Sequence, residues 1–122
     1  SMNELAVKYF AVAVGGAAGA VGRFMMQTML NQAYLPWGTL ICNVSGSLLA
    51  GIIAGGLYKS LPVVWSTGLV VGFLGAFTTM STFAVESSQI LQQGRLEAGI
   101  IYVAITTILS IVAAYWGFWL FR

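Results

Sequence analysis

The distribution of charge constrains this chain more than any other feature. Its charged residues are Glu4, Lys8, Arg23, Lys59, Glu86, Arg95, Glu97 and Arg122, and the stretches 24–58, 60–85 and 98–121 contain none. A helix needs about 20 apolar residues to cross the hydrocarbon core of a bilayer. The last two stretches hold one such span each, and the first holds one after a short polar turn. Charged residues make up 7 % of the chain and hydrophobic residues 59 %. A soluble domain carries about 25 % charged residues, so this few cannot cover a water-facing surface.

The sequence therefore predicts an all-α membrane protein, a single transmembrane domain over residues 1–122 with four spans at about 5–30, 38–58, 64–92 and 96–121. The first span ends at the polar turn Asn31-Gln32, with Pro36 and Trp37 marking the next interface. Lys59 and Pro62 close the second. The third is interrupted in mid-tract by Gly75-Ala76-Phe77-Thr78-Thr79, a small and polar run that predicts a broken helix. The fourth ends in Trp116, Trp119 and Arg122, an aromatic belt with an anchoring cation. The first apolar stretch is long, lacks a cleavage pattern and is followed by more spans, so it reads as a span and not as a cleaved signal.

Small residues recur at four-residue spacing in Gly15/Gly19, Ala18/Gly22, Ser47/Gly51, Gly51/Gly55 and Gly68/Gly72. Such stripes let helices approach closely in lipid, where no hydrophobic force drives them together. There are more stripes than four helices need among themselves, which predicts that some pack against a second subunit. Lys8, Lys59 and Arg122 fall on one side of the membrane, and Arg23 and Arg95 on the other. So small a bias does not fix which way up the chain inserts, and antiparallel pairing of two inverted copies is compatible with it.

Polar side chains at membrane depth are costly and tend to mark a pathway. Thr39, Asn43 and Ser47 share one face of the second span, with Ser45 beside them. Tyr102, Thr106 and Ser110 form a hydroxyl row on the fourth. The interrupted stretch of the third is followed by Met80, Ser81, Thr82 and Phe83, with Glu86 three residues further on. Unwound backbone there frees carbonyls, which are oxygen ligands for a hard cation. Arg23 either snorkels to the headgroups or supplies positive potential at the mouth of a path. Asn43 serves equally well as a helix–helix contact, and hydroxyls can bond back to their own helix. Amides, hydroxyls, one guanidinium and ring edges are mostly donors, an inventory that favours an anion over a cation.

Several classes are disfavoured. A net charge of +2 with scattered bases gives no footprint for nucleic acid. With no His, no carboxylate pair and no base to activate Ser or Thr, the chain offers no enzyme chemistry. Cys42, the lone cysteine, lies inside a span. A small multidrug-type proton-coupled antiporter of similar length needs a carboxylate deep in the first helix, and no acid lies between Lys8 and Arg23. A non-conducting assembly subunit would need no aligned hydroxyl row.

Three motifs then carry a resemblance. They are Gly15-Gly16-Ala17-Ala18-Gly19-Ala20 with Gly22-Arg23-Phe24, the run Gly38-Thr39-Leu40-Ile41-Cys42-Asn43-Val44-Ser45-Gly46, and Gly72-Phe73-Leu74-Gly75-Ala76-Phe77-Thr78-Thr79-Met80-Ser81-Thr82-Phe83. Together, in order and spacing over essentially the whole chain, they resemble the small bacterial fluoride channels, written Fluc or CrcB. The resemblance implies an antiparallel dual-topology homodimer in the bacterial inner (plasma) membrane, with two pores that export fluoride passively. It implies a structural sodium ion held by backbone carbonyls at Gly75 and Thr78. It implies that Asn43 is the pore asparagine, that Phe83 is the second of two pore phenylalanines, and that Ser81, Thr82, Tyr102 and Ser110 lie along the polar path. Met80 departs from the family pattern, which has phenylalanine there. Methionine fills irregular space but lacks a ring quadrupole, so the fold and the sodium site are expected to survive and throughput to fall.

Overall fold

The computed structural model describes every residue, Ser1–Arg122, and its architecture is helical throughout. Helix α1 is Met2–Leu30 and α2 is Trp37–Gly55, followed by a short 3₁₀ turn at Leu57–Ser60. Helix α3, residues 63–77, runs continuously through Val63–Thr67, Gly68–Leu74 and Gly75–Phe77. Helix α4 is Ser81–Gln92 and α5 is Leu96–Leu120. By length and composition four segments are able to cross a membrane: α1, α2, the combined stretch Val63–Gln92, and α5. The shortest, α2, has 19 residues. At 1.5 Å per residue that is about 28 Å, close to the hydrocarbon thickness.

Packing runs in two pairs, α1 along α3 and α2 along α5. Small residues set both. A methyl group at Gly15 would lie 2.2 Å from the Gly68 carbonyl oxygen, and one at Gly51 would lie 2.2 Å from that of Ala114. The backbones therefore touch where no side chain intervenes. Gly19 meets Phe73 of α3, Gly72 meets Val12 of α1, and Gly55 meets Phe118 of α5. Most of the stripes are used inside the chain. Gly15/Gly19 on α1 and Gly68/Gly72 on α3 are two halves of one contact, and Gly51/Gly55 serve the α2–α5 contact. Counting stripes per helix doubled the number of contacts they make.

Between residues 68 and 74 the helix widens to i→i+5 bonding, and the Gly75 N–H reaches back to the Val70 and Gly72 carbonyls. Wide turns of this kind concentrate at functional sites. Helical geometry stops after Phe77. Thr78 is extended, at φ −89° and ψ 153°, and residues 78–80 belong to no helix until Ser81.

Only 18 of 122 residues are buried, too few for a water-soluble domain to hide its apolar surface. Phe10, Trp65, Val71 and Ile111 all face outward, as a lipid-facing bundle requires. The Arg122 guanidinium sits 4.2 Å above the Trp119 ring, as an interfacial belt with an anchoring cation would have it. The close α2–α5 approach makes a prediction. Gly51→Ala is expected to cost about 1–3 kcal/mol through overpacking. Gly16→Ala, whose added methyl would sit an ordinary 3.8 Å from its nearest neighbour, should change stability by less than about 0.5 kcal/mol. Unfolding of the two variants in detergent measures the difference, and equal costs would contradict the packing described.

Candidate functional site

Two polar neighbourhoods lie inside the bundle. The first surrounds the non-helical residues 78–80. In a continuous helix the Thr79 N–H would bond the Gly75 carbonyl. Here it donates to Asn43 Oδ1 at 2.8 Å, while Asn43 Nδ2 donates to the Thr79 carbonyl at 3.1 Å. One side chain thus satisfies both backbone groups of Thr79, which lipid could not. The turn is tied further by Thr78 Oγ1 donating to the Leu74 carbonyl and Thr82 N–H donating to Thr79 Oγ1. On the α1 side, Arg23 Nε donates to the Ala76 carbonyl at 2.9 Å.

A cavity of about 520 Å³ opens beside this turn. Gly75, Thr78, Met80 and Phe83 line it from the third span, Asn43 and Ser47 from α2, and Thr106 and Ser110 from α5. The Thr106 and Ser110 hydroxyl oxygens are buried and have no hydrogen-bond partner. Hydroxyls in helices usually bond back to their own carbonyls, as Ser45 does to Ile41 and Ser87 to Phe83. Ser45 is therefore set apart from the Thr39–Asn43–Ser47 face. Thr106 and Ser110 instead leave their hydroxyls buried without a partner, on residues that help line the cavity, at a cost of about 1–3 kcal/mol each. Met80 is 74 % exposed at the open side.

The second neighbourhood centres on Glu86. Its Oε2 accepts from Thr39 Oγ1 at 3.0 Å and Asn31 Nδ2 at 3.1 Å, and its Oε1 accepts from the Tyr102 hydroxyl at 3.1 Å. Gln27 Nε2 donates to Thr39 Oγ1, and Arg23 Nη1 to Gln27 Oε1 at 3.4 Å. A hydrogen-bonded chain thus runs from the Ala76 carbonyl through Arg23, Gln27 and Thr39 to Glu86. Three neutral donors hold the carboxylate. No ion pair reaches it. Phe83 links the two neighbourhoods, its ring centroid 5.4 Å from that of Tyr102.

The structure therefore divides the residues singled out in the sequence. Asn43, Gly75, Thr78, Met80, Phe83, Thr106 and Ser110 gather at the cavity. Tyr102 leaves the hydroxyl row, buried and turned to Glu86. Arg23 reaches inward to α3 and not to a headgroup. Ser81 is exposed and Thr82 half-buried, and neither lines the cavity. Gln27 and Asn31 were missed. Their signal was present in the i, i+4 row Arg23, Gln27, Asn31, which places three polar groups on one face of α1.

The Asn43 pairing can be tested by itself. Asn43→Ala leaves the Thr79 N–H and carbonyl without their partners, at about 1–3 kcal/mol. Amide exchange at Thr79 is expected to accelerate by roughly tenfold or more. Unchanged exchange would mean that something else holds this turn.

The profile of the family described as "CrcB-like protein, Camphor Resistance (CrcB)" matches residues 10–118. A protein of Saccharophagus degradans named "Fluoride-specific ion channel FluC" is 40 % identical over 111 residues, covering 88 % of this chain and 84 % of that protein. Proteins of the same name from Idiomarina loihiensis and Vibrio campbellii are 39 % and 38 % identical, covering 93 % and 96 % of this chain and 92 % and 95 % of their own. With the family profile matching residues 10–118 and relatives 38–40 % identical over most of both chains, this chain is a member of the CrcB family of membrane proteins.

Proposed function

We propose that the chain is one subunit of a fluoride-selective channel, acting by passive export across the bacterial inner membrane and not by catalysis. The observation that carries this reading is the pair of hydroxyls on Thr106 and Ser110, buried without any internal partner on two residues that line the cavity. A small, strongly hydrated anion gives up water only where donors replace it, and it moves on only where no single site holds it too tightly. Neutral hydroxyls, spaced along one wall with the second N–H of Asn43, meet both needs. The names of the relatives support fluoride as the ion.

The cavity is open along Met80 and Ile111, both largely exposed. A second copy, inverted and packed on this face, would close it and give two pores related by symmetry. The weak charge bias of the termini and loops permits that inversion. The sodium ion falls, on this reading, at the Gly75 and Thr78 carbonyls. The chemistry fits: Gly75 has lost its helical donor to Asn43, Thr78 is extended, and a hard cation takes backbone oxygens. The bound ion would supply a fixed positive charge beside the path.

Fluoride efflux from proteoliposomes, with chloride as the control anion, tests the function. Fluoride is expected to leave rapidly and chloride to stay. Comparable rates for both anions would overturn the proposal. Thr106→Val removes a donor that no protein group uses, so stability should hold or rise. Efflux should slow roughly tenfold, because a hydrogen bond to a charge is worth about 1.5–3 kcal/mol. Asn43→Asp is expected to abolish efflux while the subunits stay associated, and Met80→Phe, which adds a ring edge, to raise it. Unchanged or lower flux from Met80→Phe would remove Met80 from the path.

A further inference from the structure

The loop joining α1 to α2, residues 31–36, is the outer wall of the Glu86 neighbourhood. A basin of about 180 Å³ opens there between Asn31, Gln32, Glu86, Gln89 and Arg95. Asn31 carries the geometry. Its Oδ1 accepts from the Gly38 and Thr39 N–H groups at 2.8 and 3.2 Å, capping the start of α2, while its Nδ2 reaches Glu86. Asn31 thus ties the first exposed donors of α2 to the only carboxylate in the polar chain. Its backbone is held on one side by the end of α1, where its N–H donates to the Gln27 carbonyl, and on the other by a bridge to Pro36 at the far end of the loop.

Arg95 holds that loop from outside. Helix α4 ends in a turn where Gly94 takes φ +78° and the Arg95 N–H reaches back to the Ile90 carbonyl, the left-handed glycine cap that reverses a chain sharply. This reversal sets Arg95 opposite the loop. Its guanidinium donates to the Ala33 carbonyl at 3.3 Å and to the Tyr34 carbonyl, and it lies 4.9 Å over the Tyr34 ring. Another bond goes to Gln93 Oε1. The group makes no ion pair. Both of its terminal nitrogens donate to the loop, in a planar fork that lysine cannot reproduce. From the inside the loop is anchored by Leu35, buried with Ile90, Ala98 and Tyr102.

We infer that Arg95 is a positioning residue for the mouth of the polar path: by clamping residues 33–34 against the α4–α5 turn, it sets Asn31 where it can cap α2 and hold Glu86 at once. The inference rests on the channel reading for its effect on flux, but the clamp itself is independent of fluoride. Arg95 touches no ion. It acts through Asn31.

Arg95→Lys, Arg95→Gln, Asn31→Ala and the double variant Arg95→Gln/Asn31→Ala separate the possibilities. Only variants that elute from size exclusion as the parent protein does are compared. Tyr34→Leu, which removes the stack and leaves Arg95 in place, stands in if an Arg95 variant fails to fold. Two readouts are taken: amide exchange at Gly38 and Thr39, and fluoride efflux from proteoliposomes at low and high salt. Lysine and glutamine are both expected to accelerate exchange at these two amides and to slow efflux by roughly five- to tenfold, the scale of effect for coupled residues that touch no ligand. The loss should be the same at both salt concentrations, and Arg95→Gln should add nothing in the Asn31→Ala background. Near-parental efflux with lysine, or a loss that fades at high salt, would make Arg95 a collector of anions by its charge and overturn the inference. Unchanged exchange at Gly38 and Thr39 would overturn it too, leaving Leu35 as the anchor. If the parent protein passes no fluoride, the channel reading fails while the exchange measurement still decides whether the clamp exists.

Discussion

Inside a bilayer a backbone N–H or carbonyl that leaves its helix has no water to turn to. The pairing of Asn43 with both backbone groups of Thr79 is the interaction that makes the rest of this structure possible. It lets residues 78–80 leave helical geometry at membrane depth and redirects the chain into α4. It also frees the Gly75 carbonyl from its helical donor. The cavity beside the turn, and every residue that lines it from the third span, depends on that one amide side chain. Arg23 reinforces it from α1 by holding the Ala76 carbonyl just before the turn.

Glycine contacts bring the two helix pairs close enough for this to work. Backbone touches backbone between α1 and α3 and between α2 and α5. With the bundle drawn in this tightly, Asn43 on α2 reaches across to Thr79 and Thr39 reaches Glu86. The polar groups then sort by what they touch. Around Glu86 the donors point at a carboxylate of the chain itself. Around the cavity the hydroxyls of Thr106 and Ser110 point at nothing in the chain. Phe83 packed on Tyr102 stands between the two. In the proposed channel the first neighbourhood shapes the mouth and the second supplies the donors that replace water.

Much of the fold was legible because hydropathy and length are local properties. The four spans fall within a few residues of their expected ends, with α2 stopping at Gly55, earlier than expected, where a 3₁₀ turn takes over. Helical period alone placed Thr106 and Ser110 on one face, and they do share the cavity wall. What period cannot give is the partner. Tyr102 belongs to the same row by spacing yet turns to Glu86, and Ser45 bonds back to Ile41. Glu86 collects donors from Asn31 and Thr39, which lie 55 and 47 residues away. Asn43 finds Thr79 at a separation of 36. The glycine stripes were visible, but which stripe meets which is a tertiary fact: Gly15/Gly19 meets the Gly68/Gly72 helix, and Gly51/Gly55 meets α5.

In the proposed channel one chain presents half of an anion path, closed only when a second, inverted copy covers the Met80 and Ile111 side of the cavity. Counting conducting units tests this most directly. The protein is reconstituted at falling protein-to-lipid ratios, subunits per vesicle are counted by photobleaching, and fluoride release is scored vesicle by vesicle. The account predicts that vesicles with a single subunit retain fluoride and that release begins at two. Rapid release from vesicles holding one subunit would contradict it.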